Sequence, residues 1–229
     1  MTSGVKLSDT VISKLRKMIT TNSKPGDRLP TEKDLAQIFG VGRSSIREAL
    51  KVFSTLGLVE RRNEGTFVAR TTNDCLVEPL SFLIQMELAD LTDVLELREI
   101  LELWVVKRAA TMATDQDVAT FEQLLWQMEK PGLETEEFIK ADIQFHSALA
   151  RVAGNAAIGE ILQAIRTIIL RFQGEACGNP PIQKLAIATH SEIVQAIKRR
   201  NPRAAQNSMQ KHLKVSRIFH GFHEKALEE

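Results

Sequence analysis

PGDRLPTEKDLAQIFGVGRSSIREALKVFSTLGLVERRNEGTFVA, residues 25–69, is the stretch on which the fold turns. Pro25-Gly26 is a turn signal, and Pro30 precedes a helix start. Thr31 followed by Asp34 has the spacing of a capping box, which predicts a short helix running through Phe39 and ending at Gly40. After the tight Gly40-Val41-Gly42 connection a second helix begins near Ser44, with Ile46, Leu50, Phe53 and Leu56 on one stripe until Gly57 stops it. LVERR, an NEG turn and TFVA then read as a β-hairpin. Upstream, Leu7, Val11, Leu15, Met18 and Ile19 recur at helical spacing and predict one more amphipathic helix. Three helices and a two-stranded wing, with only a few residues between helices two and three, make a winged helix-turn-helix.

In such a motif the second helix of the pair enters the major groove, its N-terminal residues nearest the bases. Here that end carries Arg43, Ser44, Ser45 and Arg47. Arg43 and Arg47 stand four apart on one face, where a guanidinium can pair bidentately with guanine O6 and N7. The serine hydroxyls suit phosphates or base edges, and Lys33, early in the preceding helix, is placed for the backbone. Arg61, Arg62, Asn63 and Gly65 lie at the wing. Charge distribution agrees: residues 1–70 hold 13 Lys and Arg against 7 Asp and Glu, a net +6, while residues 71–229 carry −5. A polyanion partner is therefore expected for the first part only.

At 229 residues, with 43% hydrophobic content, the chain is long enough for two modest domains. It has no Tyr and is rich in Leu, Ile, Ala, Glu, Lys and Gln, which favours helices. We expect a mostly α protein: a winged helix-turn-helix over 1–71, a linker at 72–79 where the pattern lapses, and an all-helical bundle of about six helices over 80–229. Breaks are read at Pro131-Gly132, Gly154-Asn155, residues 174–181 and Asn201-Pro202. The N-terminal residues mix charge into every turn, and no run approaches the ~18 to 20 apolar residues of a membrane span. Cys75 and Cys177 are far apart and not in CxxC spacing, so a disulfide framework is not expected and a cytoplasmic location fits.

In the second part, histidines fall on stripes meant for the core. Asp142 and His146 are i, i+4 on the inward side of a helix whose stripe is Phe138, Phe145, Leu149 and Val152. His190 shares a stripe with Ile193, Val194 and Ile197, and His212 shares one with Met209, Leu213 and Phe219. His190 and His212 each stand eleven residues from Asn201, so in an antiparallel hairpin they sit at one level. A carboxylate and three imidazoles facing a core invite a divalent cation. His220 and His223 read as surface residues.

Residues 25–69 closely resemble the N-terminal winged helix of the GntR family of bacterial regulators, through the PG turn, LPTE, LA, GV-R, REAL, GLV and the Gly-Thr-Phe-Val wing. The resemblance implies DNA contacts by Lys33, Arg43, Arg47 and Gly65. Gly42 departs from it, standing where Ser or Thr is usual and supplying no side-chain oxygen. LELREILE (95–102), DIQFH (142–146), AGN (153–155), HSEIVQAI (190–197) and a late HL (212–213) resemble the FCD effector domain of the FadR branch. Metal-containing members use one Asp and three His at positions matching Asp142, His146, His190 and His212. Zn²⁺ is the default cation, with Ni²⁺, Mn²⁺ or Fe²⁺ open. The resemblance also implies that Arg98 meets an effector carboxylate. Arg171 is a second candidate for the effector, and Glu102 is expected as the ion-pair neighbour of Arg98.

The function implied is a homodimeric transcription regulator, a repressor by family habit and not an enzyme. It would bind an inverted-repeat operator in double-stranded DNA and be controlled by a small organic acid bound beside the metal. A regulator that responds to the metal alone is the alternative. A metalloenzyme built on the same ligands lacks any visible general base or nucleophile motif.

Overall fold

The computed structural model describes residues 3–69, 73–86, 88–172 and 180–219. The side chains of Leu7 and Cys75, and the residues Cys177, His220 and His223, lie outside what is described. Contacts divide the chain into two units, Met1–Pro79 and Leu80–Glu229.

In the first unit α1 (Ser3–Asn22) buries Val11 and Leu15, with Met18 and Ile19 half-buried beside them. The Asp27 side chain accepts a 2.7 Å hydrogen bond from the Lys24 amide, closing the Pro25-Gly26 turn. Residues 26–29 then run along the wing, with Gly26 N donating to Val68 O and Leu29 N to Thr66 O. Thr31 and Asp34 form both halves of a capping box and start α2 (Glu32–Phe39), which ends at Gly40 in the left-handed region, φ 67°. α3 (Arg43–Thr55) buries Ile46, Ala49, Leu50 and Phe53. Leu56, expected on that stripe, is instead the exposed cap residue beyond the last turn. β1 (Val59–Arg62) and β2 (Gly65–Val68) pair antiparallel with Val59 opposite Val68 and Arg62 opposite Gly65.

The expected linker at 72–79 is helical from its second residue: α4 spans Asn73–Gln85 and contains Pro79. The buried and half-buried faces of Val77, Leu80, Ser81 and Ile84 keep helical spacing through it, and that periodicity outweighs the one backbone donor that proline removes. The other helices are α5 (Leu91–Met112), α6 (Asp115–Met128), α7 (Thr135–Ala153), α8 (Ala156–Arg171), α9 (Pro180–Lys198) and α10 (Pro202–Phe219). The described residues thus form ten helices and one two-stranded sheet. The expected breaks at Pro131-Gly132, Gly154-Asn155 and Asn201-Pro202 separate helices, and the one at 174–181 lies largely outside the described residues. A fifth, between α5 and α6, has neither Gly nor Pro. It is made by Thr114, whose hydroxyl caps α6 in a capping box with Asp117, as Asp90 and Asp93 do for α5. No helix among the described residues is long and apolar enough to cross a membrane.

α5, α6, α7, α9 and α10 share one core, in which Phe121 and Phe145 pack with ring centroids 5.8 Å apart. Phe121 is completely buried. Phe121→Ala should lower stability by about 3–5 kcal/mol through lost burial and the remaining cavity. Urea unfolding followed by tryptophan fluorescence measures this, because both tryptophans, Trp104 and Trp126, lie in this unit.

Candidate nucleic-acid interface and candidate metal centre

α3 turns Arg43, Ser44 and Arg47 to solvent, with Ser45 half-buried, and Lys33 is exposed in the first turn of α2. Gly42, the N-cap of α3, has extended backbone and makes no side-chain capping bond, so the first-turn amides remain for an anion. Arg62 on β1 stacks over Phe67, its guanidinium carbon 4.8 Å from the ring centroid, and pairs with Glu60. Gly65 has φ +142°, and a Cβ there would lie 2.9 Å from Arg28 Nε, so the wing needs glycine for backbone reasons before any contact with DNA. Sequence reasoning missed Glu32. Its carboxylate holds Arg47 Nε at 3.4 Å and Arg61 Nη2 at 2.8 Å, tying the α3 helix to the wing. The available signal was an acid beside Lys33 at the start of α2 in a basic segment.

In the second unit α7 carries Asp142 and His146, α9 carries His190 and α10 carries His212. One ligand atom from each lies within 4.8 Å of the others. The rings of His190 and His212 are 4.1 Å apart, as equal distance from the α9–α10 turn predicts. All three imidazoles are buried, and Asp142 is 16% exposed.

The outward nitrogens determine where the protons sit. His190 Nδ1 is 2.8 Å from Ala186 O, a carbonyl that can only accept, so in the neutral ring Nδ1 holds the proton and Nε2 presents a lone pair. That Nε2 is buried without a hydrogen-bond partner, 3.0 Å from Asp142 Oδ1, which is also an acceptor. Thr189 Oγ1 donates its single proton to Ala186 O at 2.8 Å. It can then accept from His212 Nδ1 at 3.1 Å. His146 Nδ1 lies 2.9 Å from Glu102 Oε1, close but not aligned as a hydrogen bond, and its Nε2 is 3.1 Å from His212 Nε2. With each proton on an outer nitrogen, three imidazole lone pairs and one carboxylate oxygen converge on a single point. A divalent cation fits that donor set, and the hydrogen-bonded outer nitrogens of His190 and His212 have the partners a metal-ligating histidine needs.

Burial pushes His146 below its ordinary value of 6.5 despite the pull of Glu102 and Asp142. Burial, with His190 and His146 nearby, pushes His212 well below it. Burial opposes ionisation of Asp142, but His146, His190 and Arg166 outweigh it and hold the carboxyl well below its usual range. The same opposition at Glu102 is overcome by His146, Arg166 and Arg98, and its carboxyl lies at about 2.

Arg98 reaches this group: it is buried, donates to Ser216 Oγ at 3.1 Å and stands 3.7 Å from Glu102, the ion-pair neighbour the sequence suggested. Arg171 does not reach it. That residue is exposed at the end of α8 with Nη1 3.5 Å from Ser81 Oγ. Sequence reasoning missed Arg166, which donates to Glu102 Oε1 and to Ile143 O, both at 3.1 Å. Its signal was an arginine on the buried stripe of α8, among Leu162, Ile165 and Ile169. A pocket between α7 and α8 is lined by His146, Ser147, Gln163, Arg166 and Thr167 among others.

Residues 7–68 match the bacterial regulatory proteins of the gntR family, and residues 93–215 match the FCD domain. The chain is 31% identical to the HTH-type transcriptional regulator LutR of Bacillus subtilis, over 88% of this chain and 95% of that one. It is 32% identical to the HTH-type transcriptional repressor NanR of Salmonella arizonae, over 96% and 87%. Among solved structures, Streptococcus agalactiae GntR superposes with a TM-score of 0.72 at 28% identity, covering 93% of this chain and 99% of that one.

The buried imidazoles set a pH dependence. In the folded chain stripped of metal, His146 and His212 take up protons only below 6.5, whereas in the unfolded chain they do so near it. The unfolded state then binds more protons as pH falls, so stability present above 6.5 is lost below it. Glu102 adds to this only between its ordinary 4.5 and about 2. The melting temperature of EDTA-treated protein should therefore fall by several degrees between pH 7.5 and 5.5. A flat profile would show that the imidazoles titrate alike in both states.

Proposed function

The chain belongs to the GntR family of DNA-binding transcription regulators and carries its FCD domain, and from that premise we propose a repressor whose operator affinity is set by a small carboxylate bound beside a divalent cation. The metalloenzyme reading is set aside, because the family and the relatives are regulators.

One observation carries the proposal: Asp142, His146, His190 and His212 bring one ligand atom each within 4.8 Å of the others around one buried point. Zn²⁺ is the cation we assign, because three imidazoles and one carboxylate match its usual ligands, although Ni²⁺, Mn²⁺ and Fe²⁺ accept the same set. Charge supports an anionic effector. Arg98 and Arg166 balance Glu102 and Asp142, so a divalent cation leaves this buried group with excess positive charge that an incoming carboxylate offsets. The pocket holding His146 and Arg166 offers a guanidinium, a metal-facing ring and the hydroxyl and amide groups of Ser147, Thr167 and Gln163.

DNA is read by Arg43 and Arg47 at base edges, with Ser44, Ser45, Lys33 and Arg62 on the phosphates and Gly65 shaping the wing. The protein acts in the cytoplasm as a homodimer on an inverted repeat. Along the outer side of α5, Leu97, Ile100 and Trp104 form an exposed apolar stripe that suits a second copy. An effector that binds the two arrangements of the dimer unequally shifts operator affinity by that difference.

The test uses duplexes enriched by the full-length protein from a random pool. Arg47→Ala should reduce discrimination between enriched and random DNA by tenfold or more, the ~1–3 kcal/mol of a bidentate base contact. Unchanged discrimination removes Arg47 from base reading. Fluorescence polarisation with EDTA-treated protein, Zn²⁺ alone, and Zn²⁺ with a panel of hydroxy, sugar and dicarboxylic acids separates two regulators. A change on adding Zn²⁺ alone, with no further effect of any acid, identifies a direct metal sensor. His190→Ala should bring bound Zn²⁺ well below the ~1 ion per chain of a four-ligand site. Full occupancy in that variant removes His190 from the centre.

A further inference from the structure

Glu102 occupies a position that the four-ligand site does not account for. It is completely buried on α5, among groups from α5, α7 and α8. Its Oε1 receives Arg166 Nη2 at 3.1 Å and lies 2.9 Å from His146 Nδ1, in contact though not aligned as a hydrogen bond, with Arg98 Nε at 3.7 Å. A fully buried carboxylate is costly without strong partners, and a carboxylate used only to balance two arginines has no need to contact an imidazole. It approaches His146 from the Nδ1 edge, whereas Asp142 and His212 lie on the Nε2 edge. Glu102 therefore stands behind the ring and is not a fifth ligand.

We propose that Glu102 is the positioning residue of the metal centre. Held by Arg166 and Arg98, it keeps the proton of His146 on Nδ1 and the Nε2 lone pair turned toward Asp142, His190 and His212. The other two imidazoles have uncharged anchors, Ala186 O and Thr189 Oγ1. His146 alone has an anion against its outer nitrogen, which raises the basicity of the ring as a ligand and makes it the histidine most dependent on its neighbour. The arginines that hold Glu102 are also the cations nearest to an entering carboxylate. An anion drawn to Arg166 thus competes with Glu102 for one guanidinium and reaches the metal through His146.

The proposal rests on the metal reading above, and the test separates the two. Zn²⁺ affinity is measured by competition with a chromophoric chelator for the wild type and for Glu102→Gln. The tautomer of His146 is read in the metal-free proteins from ¹⁵N chemical shifts of the imidazole. Because Glu102→Gln leaves two buried guanidiniums without an acid, Glu102→Gln/Arg166→Gln is measured beside it as a charge-balanced variant, with thermal melting of each metal-free protein. We expect both variants to bind Zn²⁺ about 10–100-fold more weakly than wild type. In both, His146 should lose its preference for the Nδ1–H tautomer, while the charge-balanced variant still melts cooperatively. Failure of the wild type to bind Zn²⁺ overturns the metal reading and this proposal with it. Wild-type binding with variant affinities within twofold of it overturns the positioning role alone. So does weaker binding with an unchanged tautomer, which would make the effect one of general packing.

Discussion

A neutral imidazole has two nitrogens and one proton, and the second unit is arranged around where those protons go. His190 gives its proton to a carbonyl one turn back on its own helix, and His212 finds a hydroxyl on α9. Once the outer nitrogens of His190 and His212 are committed, their inner ones can only accept in the neutral rings, and such a set of acceptors in an apolar core suits a divalent cation. Helix packing gathers the candidate ligands: α7, α9 and α10 each bring at least one, and Phe145 stacks edge-on against His190 with centroids 4.8 Å apart, closing one side.

The parts visible in the sequence are those carried by local periodicity or local turn chemistry. The wing, the reading helix and the capping box at Thr31 depend on residues within a few positions of one another, and so were legible. The level of His190 and His212 could be inferred because one turn relates them. Arg166 and Glu102 meet across 64 residues, and no local pattern announces such a pair; at most, a charged residue on an apolar stripe signals that a partner exists. The helicity of the segment expected as a linker was hidden for a related reason. Pro79 and the loss of pattern near it are local signals, and the helical face of Val77, Ser81 and Ile84 overrode them. The break before α6 was missed because it depends on Thr114 and Asp117 without a glycine or proline, although the motif was there to be read.

The two units use charge in opposite ways. In the first, Arg43, Arg47 and Lys33 are exposed, so their attraction for a polyanion is long-range and screened by salt. In the second, Arg98, Arg166, Glu102 and Asp142 are largely withdrawn from water, so each acts only on immediate neighbours and each must be balanced in place. The first arrangement suits capture of a large partner from a distance. The second suits recognition of a small one that must fit.

Glu32 adds a kinetic aspect to the first arrangement. Two of the cationic groups that would meet a duplex are already engaged by this carboxylate, and exposed pairs of this sort are worth at most about 1 kcal/mol. The leash is weak enough for a guanine edge, which offers two aligned acceptors, to undo it. Isolated phosphates on unrelated sequence offer a poorer exchange. On the base-reading role proposed for Arg47, an acid among basic residues therefore favours leaving wrong sites over staying on them.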